Sequence, residues 1–547
     1  MIPRPAPGLS PVAILLVALS LSIGWGVRGN WGHEFGAMIP GALAALAAVV
    51  CSGRDDWYRR APFFAFFGAV GWSFGGSISY MQVIGYTHNG EHAGSVLYGF
   101  ACLFVIGFLW GAPGGAGTAL PAFLDRARLV SLFVPTIAVF FAWLLQALFF
   151  MLTEVNEQTL IAWFGPDIAH WLSGISLDAF DWYDTDWIAA LVAIVAAFVV
   201  IAVQRRVEWG TRLVLYLAIG WWLGFTILTV APFLNLRMTP PRGDSWAGMV
   251  GFTAALFIFL MRERLWGVAW AALVAGLVGG IGFSGATMLK LIEVHPDVQR
   301  AIFGQEVSTN WHSVLEQTYG FINGLGIAIA LGYLSTWAPR VSDDERTGRW
   351  TETFSVAFVL LAITYLNIRK NVHNAWLPNH VVPDEIYGFS AQTWFEWAYL
   401  ALAIAVLVLL IARHRGREIA LVPTDWLGRG QLLYIILLWW VVVGNLSRVL
   451  PFQPQRLITE GTIHVNACLC TVLVLLVPNR KQSAVLEPRY DYRGLWWRTA
   501  IVGSALCALI VLAEYGTVRG LWGDTFAGHA AKHIRFGPNA TINRPRD

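Results

Sequence analysis

The sequence predicts an all-α polytopic membrane protein with about fifteen transmembrane helices, and three observations point there. Hydrophobic residues fill 56% of the 547 positions and charged residues only 13%, about half the charged share of a soluble domain. Mean hydropathy is +0.57, too high for a chain of this length that must cover itself with polar surface. Apolar runs of about twenty residues, enough to cross ~30 Å of hydrocarbon as helix, recur from end to end.

Taken in order, the spans fall near 9–26, 35–52, 61–85, 93–120, 129–152, 186–204, 211–234, 246–261, 265–289, 312–336, 350–367, 392–413, 430–447, 462–478 and 495–515. The first run, Pro11 to Trp25, has the length of a signal peptide. Arg4 is its only upstream basic residue and no A-x-A site follows, so it reads as a retained helix. Glycine runs at 68–76 and 276–285 place their helices inside the bundle, because small residues let backbones approach closely.

Positive charge sets the expected orientation. Basic residues crowd every second loop: Arg54/Arg59/Arg60, Arg126/Arg128, Arg205/Arg206/Arg212, Arg262/Arg264, Arg340/Arg346/Arg349, Arg413/Arg415/Arg417 and Arg480/Lys481/Arg489/Arg493. These loops are expected in the cytoplasm, with the N-terminus beside them and the C-terminal tail outside. That tail holds Arg519, Lys532 and Arg535, a mild departure from the rule. The opposite loops are acidic and aromatic. The stretch 153–186 carries Glu154, Glu157, Asp167 and Asp178 with Trp163, Trp171 and Trp182 and no Lys or Arg, a composition for short amphipathic helices on the outer surface. The bacterial inner membrane is the expected location. A net charge of +3, dispersed between apolar runs, suits topology control rather than nucleic-acid binding. The expected partners are membrane lipids and a small solute.

Cys51, Cys102, Cys468, Cys470 and Cys507 all lie in or beside apolar runs without zinc spacing, and read as packing residues. The 28 tryptophans read as interfacial belts and helix packing, or as stacking surfaces for a ring-bearing ligand.

Self-comparison suggests a parallel duplication. His92-Ala-Gly-Ser-Val-Leu-Tyr-Gly-Phe100 is echoed by His312-Ser-Val-Leu and Tyr319-Gly-Phe321. Gly71, Phe74 and Gly76 match Gly280, Phe283 and Gly285. Arg28-Gly29 before Gly36-Ala-Met38 matches Arg242-Gly243 before Ala247-Gly-Met249. The expected organisation is a six-helix repeat over 1–208, a second over 209–415, and a partial third copy as a three-helix extension over 416–547. Parallel repeats are common in secondary transporters, with the site between the halves.

On the expected topology, eleven of the twelve histidines lie at outer helix ends or in outer loops, together with many carboxylates. Ionisable groups near membrane depth are costly and usually serve a cavity or a function. The sharpest segment is Gly26-Val-Arg28-Gly-Asn30-Trp31-Gly-His33-Glu34-Phe-Gly36. Arg28 offers a planar fork for an anion, Trp31 an apolar platform, and His33 and Glu34 a proton relay. Arg242 and Asp244 recur at the matching turn. Tyr86-Thr-His88-Asn-Gly-Glu91-His92 would bring two imidazoles together as a helix, but Asn89-Gly90 favours a turn and no metal is assigned. His312 and Glu316 are four apart on one helical face, with Asn323 beyond them. Arg369 and His373 stand in a polar stretch whose composition resembles a recognition loop. No Walker loop, GxSxG, HExxH or dinucleotide fingerprint is present, and no cofactor is expected.

The basic turn Gly53-Arg-Asp55-Asp56-Trp-Tyr-Arg59-Arg60 resembles, over about ten residues, the cytoplasmic loop of major facilitator transporters, departing at several glycines. No residue roles follow from it.

Two functions fit. The first is a secondary transporter of a small polar or anionic solute, with the site between the repeats and open to the extracytoplasmic face. Arg28, Trp31, His33, Glu34, Arg242, Asp244, Arg369 and His373 would bind the solute, and His88, His92, His312 and Glu316 would couple protons. The second is an integral membrane glycosyl or acyl transferase with a lipid-linked donor and an extracytoplasmic active site.

Overall fold

The computed structural model describes residues 7–28, 33–75, 78, 80–88, 93–175, 187–231, 234, 245–341, 347–365, 377–378, 380, 382–415, 419–420, 422–443, 456–478 and 490–523. The side chains at 33–35, 81–82, 93, 95 and 413–414 are excepted. Helix dominates. The helices are α1 (Pro11–Arg28), α2 (His33–Cys51), α3 (Asp55–Arg59), α4 (Ala61–Gly75), α5 (Met81–Tyr86) and α6 (Ala93–Phe123). Then come α7 (Arg126–Ser131), α8 (Phe133–Thr153), α9 (Glu157–Phe164), α10 (Pro166–Ser173), α11 (Trp187–Gln204), α12 (Trp209–Phe225) and α13 (Ser245–Arg262). They are followed by α14 (Trp266–Glu293), α15 (Pro296–Phe303), α16 (Trp311–Trp337) and α17 (Trp350–Ala357). The last are α18 (Ala391–His414), α19 (Trp426–Val443), α20 (Gly461–Leu475), α21 (Tyr492–Arg498) and α22 (Ser504–Trp522). A two-residue hairpin, Glu385–Ile386 with Phe389–Ser390, precedes α18.

Each expected span coincides with an apolar helix. Eleven of these, among the described residues, are long and apolar enough to cross a membrane. The four at Gly36–Cys51, Ala61–Gly75, Trp350–Tyr365 and Gly461–Leu475 are shorter. One expected span, 61–85, divides: α4 stops at Gly75 and the short α5 begins at Met81. Gly75 lies so close to Trp110 that a Cβ would come within 2.4 Å of its ring. Local chemistry explains other ends. Ser10 accepts from the Ala13 N–H and Pro11 opens α1, as suits a first helical turn. Ala338 turns extended before Pro339 and closes α16.

Residue contacts divide the chain into two compact units. The larger takes in Met1–Gly76, Val83–Asp125 and Arg264–Ala531; the smaller is centred on Arg126–Glu263. In the larger unit six helices form a closed ring in the order α1, α2, α4, α6, α14, α16 and back to α1. Small residues line the seams. Gly24 meets Pro40, Gly41 meets Gly68, Gly71 meets Gly117, Gly107 meets Gly279, Gly326 meets Val278, and Gly324 meets Ala18. Close backbone approach replaces the hydrophobic effect as the source of attraction where the surroundings are themselves apolar. The helices α17, α19, α20 and α22 pack outside this ring, on α4, α2, α1 and α14 respectively.

One end of the ring is clamped by arginine. Arg60 is fully buried and donates to Pro121 O (2.7 Å) and Leu124 O (2.6 Å), satisfying carbonyls at the end of α6. Arg54 pairs with Asp56 and donates to Ala338 O (2.7 Å) and Pro339 O (2.9 Å), while the Val341 N–H donates to Asp56 (3.1 Å). Burial alone would raise the Asp56 carboxyl's pKa. The Arg54 guanidinium and the Val341 amide outweigh it and hold the pKa below the ordinary value.

The smaller unit pairs α12 with α13 through Gly220, Gly224 and Gly251, with Trp221 laid on Gly248. Val139, Ala193, Ala196 and Ala218 join α8, α11 and α12. The described part of 153–186 forms two short helices, α9 and α10, with Trp163 and Trp171 exposed. Leu160, Ala169 and Leu172 form their buried seam.

Candidate functional site

The site lies at the other end of the six-helix ring. α1 and α16 are antiparallel neighbours, so the last residue of α1 meets the first turns of α16. Arg28 Nη1 is 3.4 Å from Glu316 Oε1, and both side chains are buried. His312, one turn earlier on α16, brings Nε2 to 3.6 Å from the same oxygen. The guanidinium carbon of Arg28 lies 4.7 Å from the Trp25 ring centroid and 4.9 Å from that of Trp110. Indole faces attract a guanidinium, by about 2 kcal/mol where both are desolvated. The charge is thus held by a carboxylate and two π systems.

Further charge gathers at the same end. Lys290, in the last turn of α14, acts on both Glu316 and Glu293. His88, just beyond α5, feels Lys290 in turn. Burial, and then the Lys290 charge, push the His88 pKa below its ordinary value against the pull of the Ile84 carbonyl.

Beneath the charges the ring interior is filled by aromatics, one each from α1, α4, α6, α14 and α16. Trp25 stacks on Trp110 (4.7 Å, 12°) and meets Trp72 and Tyr319 edge-on. Phe283 contacts Trp110 and Tyr319 at 5.2 and 4.9 Å. α16 carries the polar line inward on one face through His312, Glu316, Tyr319 and Asn323, a spacing of four, three and four. Asn323 Nδ2 donates to the Tyr319 hydroxyl at 3.0 Å and is fully buried. Its Oδ1 has no hydrogen-bond partner among the described residues.

A second polar layer ties α16 to α20. Gln317 Nε2 donates to Thr459 O (2.9 Å), and the Thr462 hydroxyl donates to Gln317 Oε1 (2.8 Å). Ser22 of α1 donates to Gln317 O (2.8 Å). Glu460, fully buried, accepts from Asn310 Nδ2 (2.6 Å) and lies 3.8 Å from Arg456. These bonds fix where α16 begins, and so where Glu316 stands.

Of the residues expected from sequence, Arg28, His312, Glu316 and His88 come to this one end. His33 and Glu34 open α2, but their side chains lie outside the described residues, as do Trp31, His92, Arg242, Asp244, Arg369 and His373. Sequence reasoning missed Lys290, which reads as an ordinary basic residue at a span end. It also missed Trp25, Trp110 and Tyr319, whose spans contain many other aromatics. Among the described residues, no group of three or more His, Cys, Asp or Glu is placed to hold a metal ion.

The chain matches no protein-family model, no curated protein and no solved structure.

Proposed function

We propose that the protein is a secondary transporter of a small anionic solute, and that Arg28 is its anion-binding group. The observation that carries this reading is the Arg28–Glu316 pair, buried inside a ring of apolar helices and flanked by His312. A charge pair in that setting is weak evidence for stability, because desolvation offsets its attraction. It makes sense as a bond meant to be exchanged. A proton on Glu316, relayed through His312, removes one charge that engages Arg28. The guanidinium fork can then take a carboxylate or phosphate with Trp25 and Trp110 at its faces. The polar face continuing to Asn323 supports a path inward. The arginine-rich loops at the opposite end support an extracytoplasmic position for this one.

Uptake into proteoliposomes tests the reading, with small carboxylates, phosphate and sugars as a panel. Arg28→Ala should abolish accumulation of the transported anion while the protein remains monodisperse. Wild-type uptake by folded Arg28→Ala removes the proposal.

One observation favours the alternative, a membrane transferase with a pocket closed below. The packed rings of Trp25, Trp72, Trp110, Phe283 and Tyr319 floor the charged layer. Asn323→Cys, one turn beyond that floor, separates the two. Under transport it reacts with an impermeant thiol reagent from at least one side, whereas a sealed transferase floor leaves it unlabelled from both.

A further inference from the structure

Away from the Arg28 site, α22 carries a carboxylate deep in an apolar interface. Val511, Glu514 and Val518 share one face of α22, and all three are buried. That face packs on Val96 and Phe100 of α6 and Leu291 of α14, with Phe104 and Met288 beside them. Glu514 is 3% exposed and faces Gly285: a Cβ built there would meet Glu514 Oε1 at 3.1 Å and nothing else within 4 Å. Glu514 Oε2 has no hydrogen-bond partner among the described residues. The polar neighbours are the Ser284 hydroxyl and, two turns back on the same helix, the Cys507 thiol, and Tyr515 of the same helix packs on the surrounding cluster. The faces of α6 and α14 packed against it present Val96, Phe100, Phe104, Met288 and Leu291, none of them titratable.

An ionised carboxylate in such a shell costs several kcal/mol unless a cation or several donors face it, and here neither is present among the described residues. The neutral acid is the form this environment tolerates. A glutamine or leucine would fill the position at less cost, so an intramembrane glutamate marks function by default. We propose that Glu514 is a proton-binding site: a carboxyl group that takes up a proton within the membrane-spanning part of α22 and holds it against Gly285 of α14. The ligand is H⁺ itself. The proposal stands independently of the transport reading.

Dicyclohexylcarbodiimide, which partitions into lipid and reacts with protonated carboxyls, tests it directly. The acid's proton passes to one carbodiimide nitrogen as the carboxyl oxygen bonds the central carbon, and acyl migration leaves a stable N-acylurea. The protein in lipid nanodiscs is treated at pH 6 and pH 9 and mapped by peptide mass spectrometry. The expected result is an adduct on Glu514, with exposed Glu157 and Glu306 unmodified. Its formation rate falls by about tenfold per pH unit once the group loses its proton. No adduct at Glu514, or one that forms equally fast at both pH values, overturns the proposal. This experiment needs no variant. Infrared spectra give the second measurement, a protonated-carboxyl C=O band present in the wild type and absent in Glu514→Gln. Persistence of that band unchanged in folded Glu514→Gln counts equally against it.

Discussion

Arg28 rests against two indole faces and the Glu316 carboxylate, so removing that carboxylate should be felt in the fold as well as in function. Glu316→Ala is expected to cost about 3–5 kcal/mol, the usual penalty for stripping one partner from a buried pair. The double variant Arg28→Met/Glu316→Leu should recover much of that loss, read as thermal unfolding in detergent. A double variant less stable than Glu316→Ala would show that the pair itself stabilises the bundle. His88 adds a pH dependence. Its folded-state pKa lies below its unfolded value of about 6.5, so the unfolded chain binds the proton first. The neutral ring's contribution is complete above that value and is lost as pH falls through the folded pKa. The midpoint of the wild type should drop more between pH 8 and pH 5 than that of His88→Gln; parallel curves would refute this. The His312–Glu316–Asn323 face was legible from spacing alone. The partner of Arg28 was not, because nothing local in a sequence links positions 288 residues apart.

Helices were the most legible element, since apolar length announces each one. Their seams were legible only as glycine-rich stretches, without partners. A Cβ at Gly107 would come within 2.3 Å of Gly279 O, backbone that cannot swing aside. Gly107→Leu should therefore abolish recovery of monodisperse protein, whereas Gly94→Ala, which meets nothing within 4 Å, should express normally. Equal yields would mean that the seam between α6 and α14 is looser than this geometry. The Arg54–Asp56 clamp on the end of α16 makes a separate prediction. The depressed Asp56 pKa means its stabilisation is full above about pH 4 and disappears as pH falls through the folded value. Hydrogen exchange of the Val341 amide, which donates to Asp56, should accelerate in Asp56→Asn at neutral pH. Unchanged protection would remove the clamp. The sequence marked this loop only as basic; its acceptor carbonyls at 338 and 339 come from a distant helix end.

At the scale of the molecule, compactness and sequence similarity cut the chain differently. The six-helix ring draws α1, α2, α4 and α6 from the first proposed repeat and α14 and α16 from the second. The proposed orientation gives a direct check. An impermeant maleimide added to intact cells should label Glu306→Cys above the native cysteine background and leave Arg340→Cys unlabelled; the reverse pattern inverts the topology. The closure of the ring by its first and sixth members has a consequence for biogenesis. Arg28 leaves the ribosome 288 residues before Glu316. At 5–20 residues per second the delay is roughly 15–60 s. Throughout that interval the nascent chain holds Arg28 without Glu316, the carboxylate it meets in the folded ring. Its neighbour Trp25 is already made and Trp110 follows well before Glu316, so both indoles that face the guanidinium in the folded ring exist before that carboxylate does.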